Sequence, residues 1–386
     1  MKNLCLGVLI LLAACGPESG NIRGRIEGLT CDTLLVEYVT ARDMMANERT
    51  RGHDTLIAHN GRFEGNIAVE EPTLFTLSPL QLAAVRKPGY SYIRPEAQVN
   101  FMLDRDEKVR IDVKIEEGYV VTRMRGTQSN RDLAELFNRW NPISREEALY
   151  SERIRSGEIA RDSVSRETLR GYKDRMSQVF VDFVRANPDS PIVGIVFSNV
   201  PEGQVEECGA LLGEAARSSL FAPLIERKES QAEYRRVWTA AKERIRVGAE
   251  APDFALAGAD GNEVSLSALR GKYVVLDFLG SWCGACLDAF PKMKEYYSRY
   301  AGRYEVVGIA CNDGEQAWRK AMERYALPWL NVYVPAGTPP SASLATLYAI
   351  GVYPTQVLIN PQGRIELIGV GSENPAIYEK LDSLFR

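Results

Sequence analysis

The sequence predicts three parts: an α/β C-terminal domain with a mixed central sheet flanked by helices, a β-sandwich-like N-terminal domain, and a helical segment between them. Three observations carry that prediction. Short β-branched and aromatic runs broken by turn residues fill 21–125, one-faced apolar repeats fill 126–246, and strand-like and helix-like runs alternate over 247–386. A length of 386 residues suits several domains of roughly 150 residues each. With 45% hydrophobic and 25% charged residues, the chain has the composition of folded globular protein.

The same composition excludes several functions. Acidic and basic residues nearly cancel at a net charge of -4, and no dense Lys/Arg run is present to neutralise a phosphate backbone, so nucleic acid is not an expected partner. Only His53 and His59 supply imidazole, which argues against a metal centre or catalytic dyad built on several histidines. Both flank a polar turn and read as solvated surface residues.

Taken in order, the chain opens with Lys2 and an apolar run over 4–12, too short to span a bilayer and suited to a secretory signal. Leu12-Ala13-Ala14-Cys15 resembles the lipobox of bacterial lipoproteins, which implies removal of 1–14 and acylation of Cys15. Several acyl chains on one residue give stable anchoring where one would be marginal. The plainer alternative is an ordinary signal with an incidental cysteine. Residues 15–20, with Pro17, Ser19 and two glycines, read as a short tether. No later stretch is long and apolar enough for a membrane-spanning helix, so the expected location is the periplasmic side of a bacterial envelope, held by lipid alone.

Strands are expected at 34–39, 74–77, 99–103 and 109–113, and Asn60-Gly61 between Thr55-Leu56-Ile57 and Phe63 is a hairpin signal, because both turn positions tolerate positive φ. Then Leu133, Leu136, Phe137 and Trp140, and later Met176, Val179, Phe180, Phe183 and Val184, recur three and four apart, which predicts amphipathic helices. Asn187-Pro188-Asp189-Ser190-Pro191 stops one helix; another is expected over 205–245. A boundary is expected near Val247-Gly248. Beyond it, strands are expected at 264–266, 273–279, 306–309, 357–359 and 365–368, with helices after Cys286, at 316–325 and from 375 onward. Asn360-Pro361-Gln362-Gly363 closes a final hairpin, so the sheet is mixed.

Chemistry concentrates in Cys283-Gly284-Ala285-Cys286, which follows an apolar strand and opens a helix. Unpaired N–H groups at a helix start favour thiolate and can lower a cysteine pKa from about 8.5 to between about 3.5 and 7.5. Cys283 is then the attacking sulfur and Cys286 the resolving one. Two alternatives stand beside this: half of a zinc site, for which no second pair or nearby His completes four ligands, and an inert structural disulfide.

The segment Val275-Leu276-Asp277-Phe278-Leu279-Gly280-Ser281-Trp282-Cys283-Gly284-Ala285-Cys286 resembles the active-site segment of TlpA/ResA-like thioredoxin-fold proteins. Ala251-Pro252-Asp253-Phe254 resembles that branch's entry strand, Gly351-Val352-Tyr353-Pro354-Thr355 its substrate-side loop, and 302–328 has room for its extra strand and helix. The resemblance covers 247–386 and implies thiol-disulfide exchange without metal or cofactor, on protein thiols and disulfides, with a membrane thiol donor of the envelope as partner. It implies that Pro354 is cis and leaves the backbone of Tyr353 to receive an extended substrate. It also implies that Asp277, in an otherwise apolar strand, relays a proton for the resolving thiol; the alternative is a carboxylate facing solvent or paired with Lys272 or Lys292. Trp282 is expected at the rim as a substrate contact. Ala285 stands where the branch usually has Pro, and Leu279-Gly280 where an aromatic and a small residue are common, which bears on the redox potential and not on the reaction.

Three cysteines fall outside this pattern: Cys31, Cys208 and Cys311, the last read as a buried core residue. Sequence leaves their pairing open. The expected function is an envelope thiol-disulfide reductase. The alternatives are a lipid-anchored binding module that uses the fold as scaffold, and a thiol peroxidase, although Ser281-Trp282-Cys283 lacks the Pro and Thr such sites place ahead of their cysteine.

Overall fold

The computed structural model describes residues 10–11, 20–46, 48, 52–87, 90–372 and 375–386. Cys15 and most of the expected signal segment lie outside the described residues. The chain divides into two compact units, Met1–Glu229 and Ser230–Arg386.

The first unit is built on strands β1 (Ile10–Leu11), β2 (Ile22–Glu27), β3 (Thr33–Thr40), β4 (Gly52–Ile57), β5 (Arg62–Ile67), β6 (Thr73–Pro79), β7 (Ala83–Lys87), β8 (Tyr90–Ile93), β9 (Val99–Leu103), β10 (Val109–Glu116) and β11 (Tyr119–Arg125). A five-stranded sheet in the order β1-β5-β2-β10-β11 and a four-stranded sheet in the order β4-β3-β6-β9 share one apolar core. Period-two burial explains the pairing of faces: in β5, Phe63, Gly65 and Ile67 point inward while Arg62, Glu64 and Asn66 face out. That is the expected sandwich.

One local expectation needs correction. Asn60 and Gly61 do adopt positive φ, 52° and 70°, and His59 pairs with Arg62 across the turn. The flanking strands do not continue as a hairpin, because β4 joins β3 while β5 joins β2 in the other sheet. Leu56 and Phe63 thereby enter the shared core from opposite sheets.

Helices follow: α1 (Ala41–Ala46) lies within the β region, and then come α2 (Gln128–Arg155), α3 (Ser163–Ala186), α4 (Val193–Phe197), α5 (Val205–Ala210), α6 (Glu214–Arg217) and α7 (Ala222–Arg244). The amphipathic α2 packs on β9 and β11 and bonds to them through side-chain amides. Asn130 bridges the N–H and C=O of Met102, and Asn138 those of Thr122, so each amide satisfies a strand backbone pair that the helix would otherwise bury unpaired. Asp162 caps α3 by accepting from Ser165 N–H at 2.9 Å.

The second unit carries β12 (Ala255–Ala257), β13 (Glu263–Ser265), β14 (Tyr273–Leu279), α8 (Gly284–Arg299), β15 (Tyr304–Ala310), α9 (Glu315–Tyr325), β16 (Leu330–Tyr333), α10 (Leu344–Leu347), β17 (Thr355–Ile359), β18 (Ile365–Val370) and α11 (Pro375–Phe385). Its five-stranded sheet runs β16-β15-β14-β17-β18, with β14, β15 and β16 mutually parallel and β17 and β18 antiparallel. Central β14 is buried on both faces, as a sequence apolar but for Asp277 predicts, and one apolar cluster covers each face. Asn360 closes the last hairpin by accepting from Gln362 and Arg364 N–H, with Gly363 at a φ of 78°. A mixed sheet with helices on both faces is thioredoxin topology, as the alternation of strand-like and helix-like runs predicts.

Candidate active site

Central β14 delivers the chain to the start of α8, and Cys283 occupies the N-cap of that helix with extended backbone, φ -94° and ψ 97°. Its Sγ accepts the backbone N–H of Cys286 at 3.2 Å, a first-turn donor that the sulfur shares with the Cys283 carbonyl oxygen at 3.0 Å. Cys283 and Cys286 form a disulfide with Cα atoms 5.3 Å apart. The pair is asymmetric: Cys283 retains 8% exposure and Cys286 only 1%. A reagent from solvent meets Cys283 first.

The other residues singled out from sequence gather around this pair. Tyr353-Pro354 is a cis peptide bond. The antiparallel ladder of β17 begins at Thr355, so the backbone of Tyr353 stands outside it. Trp282 is 55% exposed, and its ring meets that of Tyr353 edge to face, with centroids 5.4 Å apart. Gly280 makes room for this: a Cβ there would lie 2.5 Å from the Trp282 indole. Glycine between β14 and the disulfide lets the indole fold back over the chain.

Asp277 is 2% exposed and sits in register with Gln356 on β17. Strand alternation puts it on the face of Val275 and Leu279, whose apolar cluster contains Cys283, Cys286, Met293 and Tyr378. Burial drives its carboxyl up to about 7, against the opposing effect of a hydrogen bond with Gln356, and Oδ1 has no hydrogen-bond partner. Neither the solvent-facing nor the lysine-paired alternative applies.

Two features were not foreseen. The turn after β15 grips both sides of the disulfide. Asp313, 5% exposed, accepts the backbone N–H of Ser281 at 2.6 Å and its hydroxyl at 2.7 Å, fixing the segment two residues before Cys283. Asn312 Nδ2 donates to the Tyr353 hydroxyl at 3.3 Å, and the same hydroxyl engages the thiol of Cys311. Asn312-Asp313-Gly314 reads in sequence as an ordinary turn, and nothing in its spacing points to Ser281 or Tyr353. The second feature is α7, whose Trp238 ring approaches Gly351 in the loop ahead of Pro354.

Cys31, Cys208 and Cys311 are free thiols. Burial pushes Cys311 up to about 12, and Cys208 is also raised by burial. Among the described residues no group of three or more His, Cys, Asp or Glu converges as a metal site needs, and no helix is long and apolar enough to cross a membrane.

Residues 247–368 match the AhpC/TSA family model. The chain is 31% identical over 134 residues to the thiol-disulfide oxidoreductase ResA of Bacillus subtilis (strain 168), covering 34% of this chain and 72% of that protein. It is 30% identical over 125 residues to a ResA of Bacillus cereus, covering 32% of this chain and 69% of that protein. Among solved structures, a thiol-disulfide oxidoreductase from Bacteroides fragilis is 30% identical, with a TM-score of 0.32, and covers 35% of this chain and 98% of that chain.

Proposed function

The chain belongs, through its C-terminal domain, to the ResA/TlpA-like thiol-disulfide oxidoreductases, and from that premise we propose that it works as a reductase of protein disulfides in the bacterial envelope, anchored by acylated Cys15. The observation that carries the exchange chemistry is Cys283 at the N-cap of α8, its sulfur facing the Cys286 N–H while Cys286 lies beneath it. In the reduced enzyme this environment favours a Cys283 thiolate. That thiolate attacks one sulfur of a substrate disulfide; the substrate S–S bond breaks, a mixed disulfide forms, and one substrate thiolate departs. Cys286 then attacks Cys283 Sγ, which frees the second substrate sulfur and leaves the Cys283–Cys286 disulfide. A membrane thiol donor returns two electrons and two protons.

In this reading Asp277 accepts the proton of Cys286 before the second step, for which a carboxyl titrating near neutrality is suited. Tyr353 lends its backbone to an extended substrate segment and Trp282 covers the apolar side of the approach. The N-terminal sandwich and helices would hold or select the partner.

Equilibrium titration of residues 20–386 in defined thiol buffers tests the direction. A reversible two-electron transition near or below about -250 mV supports a reductase; one above about -150 mV turns the assignment to an oxidase or isomerase. With both thiols accessible, no reversible transition would sink exchange chemistry altogether. Replacement of Cys15 by Ser tests the anchor: the variant is expected in the soluble envelope fraction without incorporated fatty acid, and continued membrane retention overturns the lipid reading.

A further inference from the structure

We propose that the C-terminal half of α7, residues 230–244, forms an extra aromatic wall of the exchange site and selects polypeptide disulfides whose cysteine is flanked by apolar or aromatic residues. The proposal rests on the exchange reading above and names its substrate class. Three observations carry it.

The helix lies outside the family match, which begins at 247, yet it packs against the loop that leads to Pro354. A Cβ on Gly351 would sit 3.8 Å from Cζ2 of Trp238, ordinary van der Waals contact, so the indole lies directly against that backbone. Tyr234, Trp238, Ala241 and Ile245 follow the spacing of one helix face. Ala241 is fully buried, and Ile245 packs on the core cluster beneath the sheet, so this face is turned to the domain and Tyr234 stands at its outer end.

Tyr234 lies one turn before Trp238 on this face, and Tyr353, two residues after Gly351, meets Trp282. Residues from three places in the sequence, α7, the loop ahead of Pro354 and the segment ahead of Cys283, are therefore linked by contact beside the disulfide. They are also unusually open: Tyr234 is 44% exposed, and Trp282 and Val352 are 55% each. Of the five large apolar side chains described as exposed in Ser230–Arg386, these are three, so the unit's solvent-facing apolar surface is concentrated here. Exposed apolar side chains beside a reactive group mark where a partner is desolvated. An extended segment laid along Tyr353 would bring residues next to its cysteine against Trp282, Val352 and Tyr234. Apolar side chains gain from that burial, and charged ones lose their hydration without a partner.

The test uses reduced residues 20–386 and two otherwise identical disulfide peptides, one with Phe and Leu beside the cysteine and one with Asp and Ser. Oxidised glutathione reports exchange without flanking side chains. The expected result is a kcat/KM at least tenfold higher for the Phe/Leu peptide, a preference that falls threefold or more in Tyr234→Ala and is kept in Tyr234→Phe, with unchanged thermal unfolding in both. Equal rates for the two peptides, or a preference untouched by Tyr234→Ala, overturn the selectivity while leaving exchange intact. Failure of the wild-type chain to react with oxidised glutathione or either peptide sinks the exchange reading and this one with it.

Discussion

A carboxyl at Asp277 costs the fold something at neutral pH, and the size of that cost is measurable. Its folded pKa stands at about 7 because burial disfavours the anion, whereas the unfolded chain titrates it at about 4. Between those values the folded state holds a proton that the unfolded state has released. Stability contributed by this site is therefore undiminished below about 4, falls as pH rises through the window, and is lower by about 4 kcal/mol above 7. Asp277→Asn removes the ionisation, so the variant is expected to raise the unfolding free energy at pH 8 and to match wild type at pH 4. Equal effects at the two pH values would show that the carboxylate is not the cause. The same variant is expected to slow resolution of the mixed disulfide and to abolish an inflection near pH 7 in that rate, since an amide accepts no proton. Under the proposed function, this cost accompanies the proton relay assigned to Asp277. Cys311 offers the opposite case: its thiol, pushed up to about 12 by burial and 1% exposed, is expected to resist iodoacetamide at pH 8 in the reduced native chain while Cys283 reacts readily. Comparable labelling of the two by mass spectrometry would contradict the placement of Cys311.

At the scale of elements, the turn 311–314 joins pieces that sequence treats separately. Asp313 satisfies both the N–H and the hydroxyl of Ser281, which otherwise enter a half-buried corner without partners. Asp313→Ala is expected to cost roughly 2–4 kcal/mol in urea denaturation, charged hydrogen bonds being worth about twice neutral ones. Ser281→Ala should cost about 1 kcal/mol, and a double-mutant cycle should give a coupling above about 1 kcal/mol. Additive effects would mean that the carboxylate acts elsewhere. Elements of this kind mark the edge of what sequence carries. Cys283 and Cys286 were legible because two-residue spacing at a strand-to-helix junction is itself the chemistry. The largely apolar run of β14 was legible because a strand buried on both faces shows no alternation of polar and apolar residues. Asn60-Gly61 announced its backbone conformation correctly and said nothing of which sheet each flanking strand would join, since φ preferences are local and sheet assignment is not. α8 runs through Pro291, and α2 through Pro142, where a local rule would end a helix. Tertiary packing of Ala289, Phe290 and Met293 holds α8 together across its proline.

For the molecule as a whole, the division between units falls within α7, between Glu229 and Ser230, while similarity to the family begins 17 residues later at 247. Sequence placed the boundary by a change of composition, because a helix with charges around most of its circumference gives little sign of the core it serves. Ala241 is fully buried, and Ile245 joins the cluster formed by Ala251, Phe254, Val274 and Leu276, so residues ahead of the family match contribute to the thioredoxin-like core. Burial of Ala241, Ile245 and the half-buried ring of Trp238 is worth on the order of 2–4 kcal/mol at about 25 cal/mol per Å² of apolar surface. For a unit of this size each kcal/mol shifts the melting temperature by about 2–4 °C. A fragment spanning 230–386 is therefore expected to fold with the redox-active disulfide intact, and one spanning 247–386 to melt roughly 5–15 °C lower. Calorimetry on the two fragments decides between two pictures of the chain. Equal melting temperatures would make the 230–244 segment of α7 a linker that only happens to lie near the site, whereas the expected loss would make it a structural part of the oxidoreductase domain.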